Sequence, residues 1–318
     1  MLWCFMYKLQ KQKNIEVISY SYEKNKQKLT MTEEQTTQEM LMELIKEECT
    51  IDTSLDIEYP PVALSYGEKT IQTKKGEKTY AIPICTTGNI SYITAPPKSK
   101  KSFFISLLAS VYLSDGNNFG GNIRGHRQDK CLMHFDTEQG HFHASRCFRR
   151  TLDMANIKDN GCYHTYALRT LNYKQRLEFI EWTLKQNKEN GKETGMVFID
   201  GAADLVADAN DLLSCNEMVA KLMQLSTHYN THIMLVMHQN YGSQKLGTGH
   251  LGSFLEKKAE TVIEIELNTT NKDWVTVMCK RSRGFPFETF SFSINEYGLP
   301  FVVGEIYDPL EYYVPKKL

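Results

Sequence analysis

The most informative part of the sequence is Asn89-Ile90-Ser91-Tyr92-Ile93-Thr94-Ala95-Pro96-Pro97-Lys98-Ser99-Lys100-Lys101-Ser102-Phe103-Phe104. Its first half is an apolar run of the kind that forms a buried strand. A short loop with prolines and lysines follows, and it opens directly into a pattern typical of an amphipathic helix from about Lys101 to Leu113. This order predicts a strand, a tight turn and a helix in immediate succession.

A strand that turns directly into a helix is the setting of a phosphate-binding loop. Against the pattern GxxxxGK(S/T), Ala95 and Lys100 stand at the two glycine positions, and Lys101 and Ser102 match the final pair. The loop amides and the helix N-terminus can then converge on phosphate oxygens. The candidate phosphate-binding residues are Ala95, Pro96, Pro97, Lys98, Ser99, Lys100, Lys101, Ser102 and Phe103.

The replacement of both glycines makes this motif weaker than the standard one. A side chain in the backbone conformation that glycine usually provides costs roughly 1–3 kcal/mol. Because about 1.4 kcal/mol corresponds to a tenfold change in affinity, the strain would weaken nucleotide binding without abolishing it. The positive charges of Lys98 and Lys100 offset part of the loss. From the loop alone, a nucleotide site and an ordinary strand-loop-helix are equally well supported.

Composition and charge narrow the class of protein. The chain has 318 residues, 41% hydrophobic and 24% charged, as in ordinary globular proteins. Its net charge of −1 provides no global basic field, so any nucleic-acid binding must come from a local patch. The eight cysteines show no metal-ligand spacing and fit reduced thiols in a cytoplasmic protein. No apolar run is long enough for a membrane helix, and the N-terminus lacks the features of a signal peptide.

The charge distribution predicts a separate N-terminal segment. Residues 1–30 carry six lysines and two glutamates, whereas residues 31–60 carry nine acids and one lysine. We predict a leader at 1–58, a core domain at 59–305 and a tail at 306–318. Thr36 and Glu39 form a capping box that predicts one short amphipathic helix in the leader. Residues 1–30 fit either a genuine tail or a start codon placed upstream of Met31.

The core domain shows regular alternation of strand and helix patterns. After a predicted hairpin around residues 74–76, strand runs alternate with helical runs through residue 237. This alternation predicts an α/β fold, a mostly parallel twisted sheet with helices on both faces. Three later runs follow without helices and predict antiparallel strands that extend the sheet; they are Thr261–Leu267, Trp274–Cys279 and Thr289–Ile294.

Three predicted strands end in polar residues, where ligands of an open parallel sheet bind. Glu138 could accept a proton from water that attacks a γ-phosphate, or it could cap the next helix. Asp200 could hold Mg²⁺ beside Ser102, although a strand-terminal aspartate is common in α/β proteins. His238 and Gln239 could sense a phosphate or orient water, but a buried structural histidine is equally compatible.

These residues, in this order, resemble the RecA-like ATPase core of the RepA/DnaB hexameric-helicase group. The resemblance covers roughly residues 60–300 and is strongest to stand-alone RepA-like ATPases of plasmids and mobile elements, in which Pro-Lys-Ser phosphate loops occur. It implies ATP and Mg²⁺ as cofactors, bound by Lys101, Ser102 and Asp200. It also implies that Glu138 is the catalytic base and that His238 and Gln239 form the sensor.

The resemblance further implies oligomerisation and DNA binding. Members of this group supply a basic residue to the nucleotide of a neighbouring subunit, and Arg281 or Arg283 in Lys280–Gly284 is the candidate, with a solvated basic turn as the alternative. The loop Asn240–Gly252 corresponds to the DNA-contacting loop, with Tyr241, Lys245 and His250 as the candidate contacts. A surface loop without a ligand is the alternative. The expected assembly is a homo-oligomer such as a hexameric ring around single-stranded DNA.

The sequence therefore predicts an ATP-hydrolysing, helicase-like motor that acts on DNA in the replication or mobilisation of a plasmid or mobile element. The alternative is a non-catalytic nucleotide- or DNA-binding protein with a degenerate phosphate loop. A strand-pairing or regulatory ATPase that never translocates is the third possibility. No membrane partner is expected.

Overall fold

A computed structural model describes residues 31–74, 76–114, 120–158, 161–239 and 249–304, with side chains from residue 37 onwards. The chain divides into two units, Met1–Tyr59 and Pro60–Leu318. In the first unit, helix α1 spans Met31–Cys49. The predicted capping box is wrong, because Thr36 lies within this helix. The preceding Glu33-Glu34-Gln35 are good helix formers and allow the helix to begin earlier.

The second unit contains the alternating elements. Its helices are α2 Lys101–Ser114, α3 His141–Ala155, α4 Tyr173–Glu189, α5 Leu212–His228 and α6 Gly249–Lys258. Its strands are β1 Val62–Thr73, β2 Gly76–Thr86, β3 Ile90–Ala95, β4 Ile123–Gly125, β5 Cys131–Asp136, β6 Tyr163–Ala167, β7 Thr194–Asp200, β8 His232–His238, β9 Thr261–Leu267, β10 Val275–Ser282, β11 Phe290–Ile294 and β12 Pro300–Val302. A 3₁₀ turn spans Ala202–Leu205. No helix in the described part of the chain is long and apolar enough to span a membrane.

The large sheet has the predicted mostly parallel architecture. Its strand order is β12-β11-β10-β9-β3-β8-β7-β5-β6. The strands from β9 to β6 pair in parallel, and β10, β11 and β12 pair antiparallel at the other side. The α/β prediction with C-terminal antiparallel strands is confirmed.

One predicted strand direction is wrong. Strand β9, Thr261–Leu267, runs parallel to β3, because α6 carries the chain back across the sheet before β9 begins. The sequence prediction assigned Asn240–Gly252 to a loop and no helix to the following stretch. Residues 249–252 form the start of α6, whose short apolar spacing, with glycines at its start, hid it from pattern analysis.

The core lies on both faces of the sheet. On β3, Ile93 and Ala95 pack into the cluster that includes α2 and α3, whereas Ile90 and Tyr92 pack into the cluster that includes α4, α5 and α6. Strands buried on both faces read as continuous apolar runs. Helix α2, predicted to be amphipathic, is buried from Phe104 to Leu113, because further elements cover the side away from the sheet.

The predicted hairpin is present and belongs to a second, smaller sheet with strand order β2-β1-β4. Lys75 of the predicted turn lies outside the described residues. The end of β2 is tied to the large sheet at the amino ends of its parallel strands. There Glu260 accepts hydrogen bonds from the amide and hydroxyl of Thr86, at 2.9 and 2.7 Å. The sheet edge that carries the carboxyl ends of the parallel strands therefore remains for the candidate site.

Candidate functional site at the carboxyl edge of the sheet

The loop between β3 and α2 begins with a type II β-turn. The Ser99 amide donates to the Pro96 carbonyl at 3.3 Å, and the Ser99 hydroxyl donates to the same oxygen at 2.6 Å. Pro97 supplies the fixed φ of the second turn position, and Lys98 occupies the third with φ 62°. Glycine is the usual residue at that position, so Lys98 carries the backbone strain that the sequence predicted.

A second left-handed residue stands directly before the helix. Lys100 has φ 64°, and its carbonyl accepts the first amides of α2, from Phe103 at 3.0 Å and Phe104 at 3.2 Å. Its ammonium group donates to the carbonyl of Asp273 at 3.3 Å. The glycine position of the motif thus keeps its backbone conformation without glycine. Ala95, at the other glycine position, remains in β3 and pairs with His238.

Three charged or polar side chains form a row across the loop. The Lys101 ammonium donates to His238 Nδ1 at 2.8 Å, and His238 Nε2 lies 3.6 Å from Glu138 Oε2. Because Nδ1 accepts, the ring proton belongs on Nε2, which faces the carboxylate. The hydrogen bond to His238 lowers the pKa of Glu138, although burial opposes it. Burial lowers the pKa of Lys101, against the attraction of Asp200 and Glu138.

The start of α2 and the end of β7 meet beside this row. The Ser102 hydroxyl donates to Asp200 Oδ2 at 3.3 Å. Burial, together with the nearby carboxylates of Asp136 and Glu138, raises the pKa of Asp200 to about 7, against the opposing influence of Lys101 and Ser102. The site therefore concentrates negative charge that one lysine only partly balances.

This donor set fits Mg²⁺. A hydroxyl and a carboxylate oxygen, from Ser102 and Asp200, are adjacent, and both are hard oxygen ligands. Within the described ranges no group of three His, Cys, Asp or Glu side chains is placed to hold a metal by itself. Mg²⁺ usually binds one or two protein oxygens and completes its shell with phosphates and water, so two donors are sufficient.

Asp136 shapes the turn that carries Glu138. Its Oδ1 accepts the amides of Glu138 and Gln139, at 3.0 and 2.8 Å. Helix α3 has Gly140 as its N-cap, with no side-chain cap. The alternative that Asp136 or Glu138 only caps the next helix is therefore wrong, because the carboxylate of Asp136 orders the turn and Glu138 faces His238.

A second group of residues holds this turn against the end of β7, and sequence reasoning missed it. The Thr137 hydroxyl lies 2.8 Å from Asp204 Oδ2 and 3.0 Å from the carbonyls of Asp200 and Gly201. Arg176 donates to the carbonyl of Asp204 at 2.8 Å. Gly201 has φ 102°, and a Cβ there would collide with the Thr137 hydroxyl. Glycine directly after Asp200 was the one sequence signal for this packing.

Several predicted site residues lie elsewhere. The Gln239 amide N–H donates to the carbonyl of Ala95 at 3.0 Å, but its side chain is buried and bonds to Glu264, so His238 rather than Gln239 faces Lys101. The Phe103 ring packs under the guanidinium of Arg150, 3.8 Å away. His250 is exposed on the first turn of α6. Tyr241 and Lys245 lie outside the described residues.

Arg281 and Arg283 lie at the opposite edge of the sheet. Arg281 pairs with Val262, which pairs with Tyr92, three residues before the end of β3 and about 10 Å from it along the strand. Neither arginine belongs to the cluster around Lys101 in the same chain.

The fold and the site define a class: an α/β protein with a P-loop-type nucleotide site at the carboxyl edge of a mostly parallel sheet. A protein-family model described as an AAA domain matches residues 71–244, and the chain belongs to this family. The predicted resemblance to RecA-like ATPases of the RepA/DnaB type is confirmed.

A solved structure supports the same fold. The chain is similar to a structure whose title describes it as an ATPase domain, with a TM-score of 0.51 and 16% sequence identity over 68% of this chain and 85% of that chain. At this identity the likeness concerns the fold. Among curated proteins, none matches the chain.

Proposed function

We propose that the protein is an ATP-hydrolysing motor that acts on single-stranded DNA, in the replication or mobilisation of a plasmid or mobile element. One observation carries the proposal: Lys101, Glu138 and Asp200, from three separate elements, meet around His238 and Ser102 at the carboxyl edge. The AAA-domain match supports the nucleotide chemistry of this cluster.

Each side chain has a role that follows from its position. Lys101 leaves His238 and binds the β- and γ-phosphate oxygens, while Ser102 and Asp200 hold Mg²⁺. The metal, when bound, neutralises charge on the phosphates. Glu138, whose pKa is lowered, remains a carboxylate at neutral pH and polarises the attacking water. Charge from a neighbouring copy completes the site.

The DNA-binding and assembly parts of the proposal rest on the resemblance. Tyr241, Lys245 and His250 would contact the DNA backbone and bases, with the copies arranged as a homo-oligomer such as a hexameric ring. Residues 59–305 would form the motor, with a leader at 1–58 and a tail at 306–318, in the cytoplasm.

ATP turnover with and without single-stranded DNA tests the proposal. We expect DNA-stimulated turnover in the wild type. Glu138→Gln should lose about 100-fold or more, as removal of a general base does, while it still binds nucleotide. Lys101→Ala should lose both turnover and binding. Glu217→Gln and Lys158→Ala, at exposed positions away from the site, are the matched charge controls. Equal rates in wild type and Glu138→Gln would refute the role of Glu138.

The strained loop favours one alternative, a non-catalytic protein that has lost productive ATP binding. Lys98 and Lys100 both adopt the left-handed conformation that glycine would adopt without strain. Titration with a fluorescent ATP analogue separates the two functions. Lack of binding at about 1 mM, where even a weak site worth roughly 4 kcal/mol is half-filled, would favour the alternative.

A further inference from the structure

A β-bulge in strand β10 brings two consecutive basic side chains to one acid. The register shifts between Cys279, which pairs with Ile263, and Arg281, which pairs with Val262, so Lys280 is the extra residue. Consecutive side chains of a regular strand point to opposite faces, and a bulge re-aims one of them. Glu256 Oε1 consequently lies 3.1 Å from Arg281 Nε and 3.4 Å from Lys280 Nζ.

The two partners of this ion pair differ in exposure. The side chain of Glu256 is 7% exposed, whereas that of Arg281 is 64% exposed. The contact is made through Nε, at the inner end of the guanidinium group. The outer end, with the terminal nitrogens that bind phosphate oxygens in pairs, therefore lies toward solvent.

Arg283 has a different role. Its guanidinium donates to the carbonyl of Lys258 at 2.9 Å, and its amide donates to the carbonyl of Glu260 at 2.9 Å. It thus satisfies a carbonyl at the C-terminal end of α6, where cations are favourable. Of the two candidate arginines, Arg281 is the one oriented toward a ligand.

Glu256 also links Arg281 to the other edge of the sheet. Helix α6 begins at the carboxyl edge, where the Leu251 amide donates to the carbonyl of Ala209, and ends at the amino edge, where the Glu260 amide donates to the carbonyl of Ile90. Its 10 residues span about 15 Å. His250 stands on its first turn and Glu256 on its last, so a ligand at His250 and the orientation of Arg281 share one rigid element.

We propose that Glu256 is a positioning residue, which orients Arg281 toward the phosphates of a nucleotide bound by a second copy of the chain and joins that contact to α6. The inference rests on the proposed function. Arg281 cannot serve the nucleotide of its own chain, because it lies about 10 Å down the sheet from the phosphate loop and is held there by Glu256.

Mixing of variants tests the proposal. Glu256→Gln keeps the shape of the side chain and its own Lys101, Ser102 and Glu138, but loses the charge that holds Arg281. We expect its turnover to fall about 100-fold, the lower range for loss of an arginine that stabilises transferred phosphate. Its affinity for a fluorescent ATP analogue should stay within about twofold of the wild type, because its own phosphate loop is intact.

Rescue in a mixture identifies action between copies. Glu138→Gln protomers lack their own base but present an intact Arg281. An equal mixture with Glu256→Gln, or with Arg281→Ala, should therefore turn over ATP about tenfold faster than the two proteins measured separately. Glu256→Gln and Glu217→Gln should melt within a few degrees of each other.

The outcomes separate the two proposals. Active wild type without rescue of Glu256→Gln, or with rescue of Arg283→Ala instead of Arg281→Ala, overturns the role of Glu256 alone. The same holds if Glu256→Gln loses nucleotide affinity together with melting temperature, since that is the signature of a merely structural ion pair. Absence of turnover in the wild type removes the proposed function and this inference together.

Discussion

Strand β8 has a histidine at each end, and each histidine faces a glutamate. At the carboxyl end, His238 lies 3.6 Å from Glu138, with 39% and 43% of the two side chains exposed. At the amino end, His232 lies 3.9 Å from Glu260, with 0% and 11% exposed. The same two residue types at a similar separation occupy an open cleft in one case and a closed joint in the other.

The remaining partners decide the role of each pair. His232 Nδ1 donates to the carbonyl of Thr86 at 2.7 Å, and Glu260 binds the amide and hydroxyl of the same residue. Their contacts join the small sheet to the large one. His238 instead contacts Lys101, a residue of the phosphate loop. A His–Glu pair is therefore structural when its partners are backbone groups and buried, and functional when its partner is a charge that a ligand can claim.

Exchange of each histidine for alanine should separate activity from stability. His238→Ala should lower ATP turnover about 100-fold, because both Lys101 and Glu138 lose their orientation, with little change in urea unfolding. His232→Ala should cost about 2–4 kcal/mol of stability, because it leaves a cavity and a buried carbonyl without its donor, while turnover per folded molecule stays near wild type. Equal losses of stability in the two variants would contradict the comparison.

Removal of the buried charge at the carboxyl edge should stabilise the metal-free protein at high pH. Asp200 has a folded pKa of about 7, against an ordinary value of 3.8. The folded state therefore holds a proton that the unfolded state releases, and stability falls as pH rises from about 4 to 7. Asp200→Asn should gain up to a few kcal/mol at pH 8, at about 1.4 kcal/mol per unit, and little at pH 4.

Unfolding in urea with a chelator present measures this gain. Asp153→Asn, at an exposed position of α3, is the control for the change from acid to amide. Asp200→Asn should also lose Mg²⁺-dependent nucleotide binding. A variant that is less stable than wild type at pH 8 would show that the carboxylate is not strained by its neighbours.

The amino end of β8 should show the opposite dependence on pH. Burial lowers the pKa of His232 to about 4, from an ordinary value of 6.5. The unfolded state binds a proton that the folded state refuses, so stability is full above about pH 6.5 and falls as pH drops toward 4. The loss amounts to roughly 2–3 kcal/mol, at about 1.4 kcal/mol per unit.

His232→Asn should flatten this part of the pH profile, since asparagine keeps a donor and does not titrate. The urea midpoint at several pH values between 4 and 7 is the measurement. If the profile of His232→Asn keeps the wild-type slope, another group is responsible for the acid sensitivity.

The smallest effect concerns the strained loop itself. Lys98→Gly should stabilise the protein by about 0.5–1 kcal/mol, because glycine adopts φ 62° without strain and the gain exceeds its entropic cost. Nucleotide affinity should rise by a few-fold at most. Lys98→Ala removes the same charge and retains the Cβ, so it should show no gain in thermal unfolding. A gain in Lys98→Ala would assign the effect to charge rather than to backbone strain.

Local patterns predicted the elements well. Helices α3 and α4 have the predicted bounds, His141–Ala155 and Tyr173–Glu189. The order of the strands and the placement of Lys101, Ser102, Glu138 and Asp200 at strand ends also followed from sequence. These features depend on residues close together in the chain, through hydrophobic periodicity and turn chemistry.

The arrangement between distant residues could not be read in the same way. His238 and Gln239 are neighbours in the chain, and only the pairing of β8 with β3 decides that His238 faces Lys101 while Gln239 is buried against β9. Thr137, Asp204 and Arg176 come from three separate segments and have no shared sequence signal.

The chain alone was sufficient to place a strand, a tight lysine-containing turn and a helix in succession, because steric and hydrophobic preferences act over a few residues. Tertiary packing decided which of two histidines on one strand is available to a ligand and which of two arginines is oriented toward solvent. It did so because burial and charge depend on every segment that packs nearby, and those segments lie up to 174 residues apart in the chain.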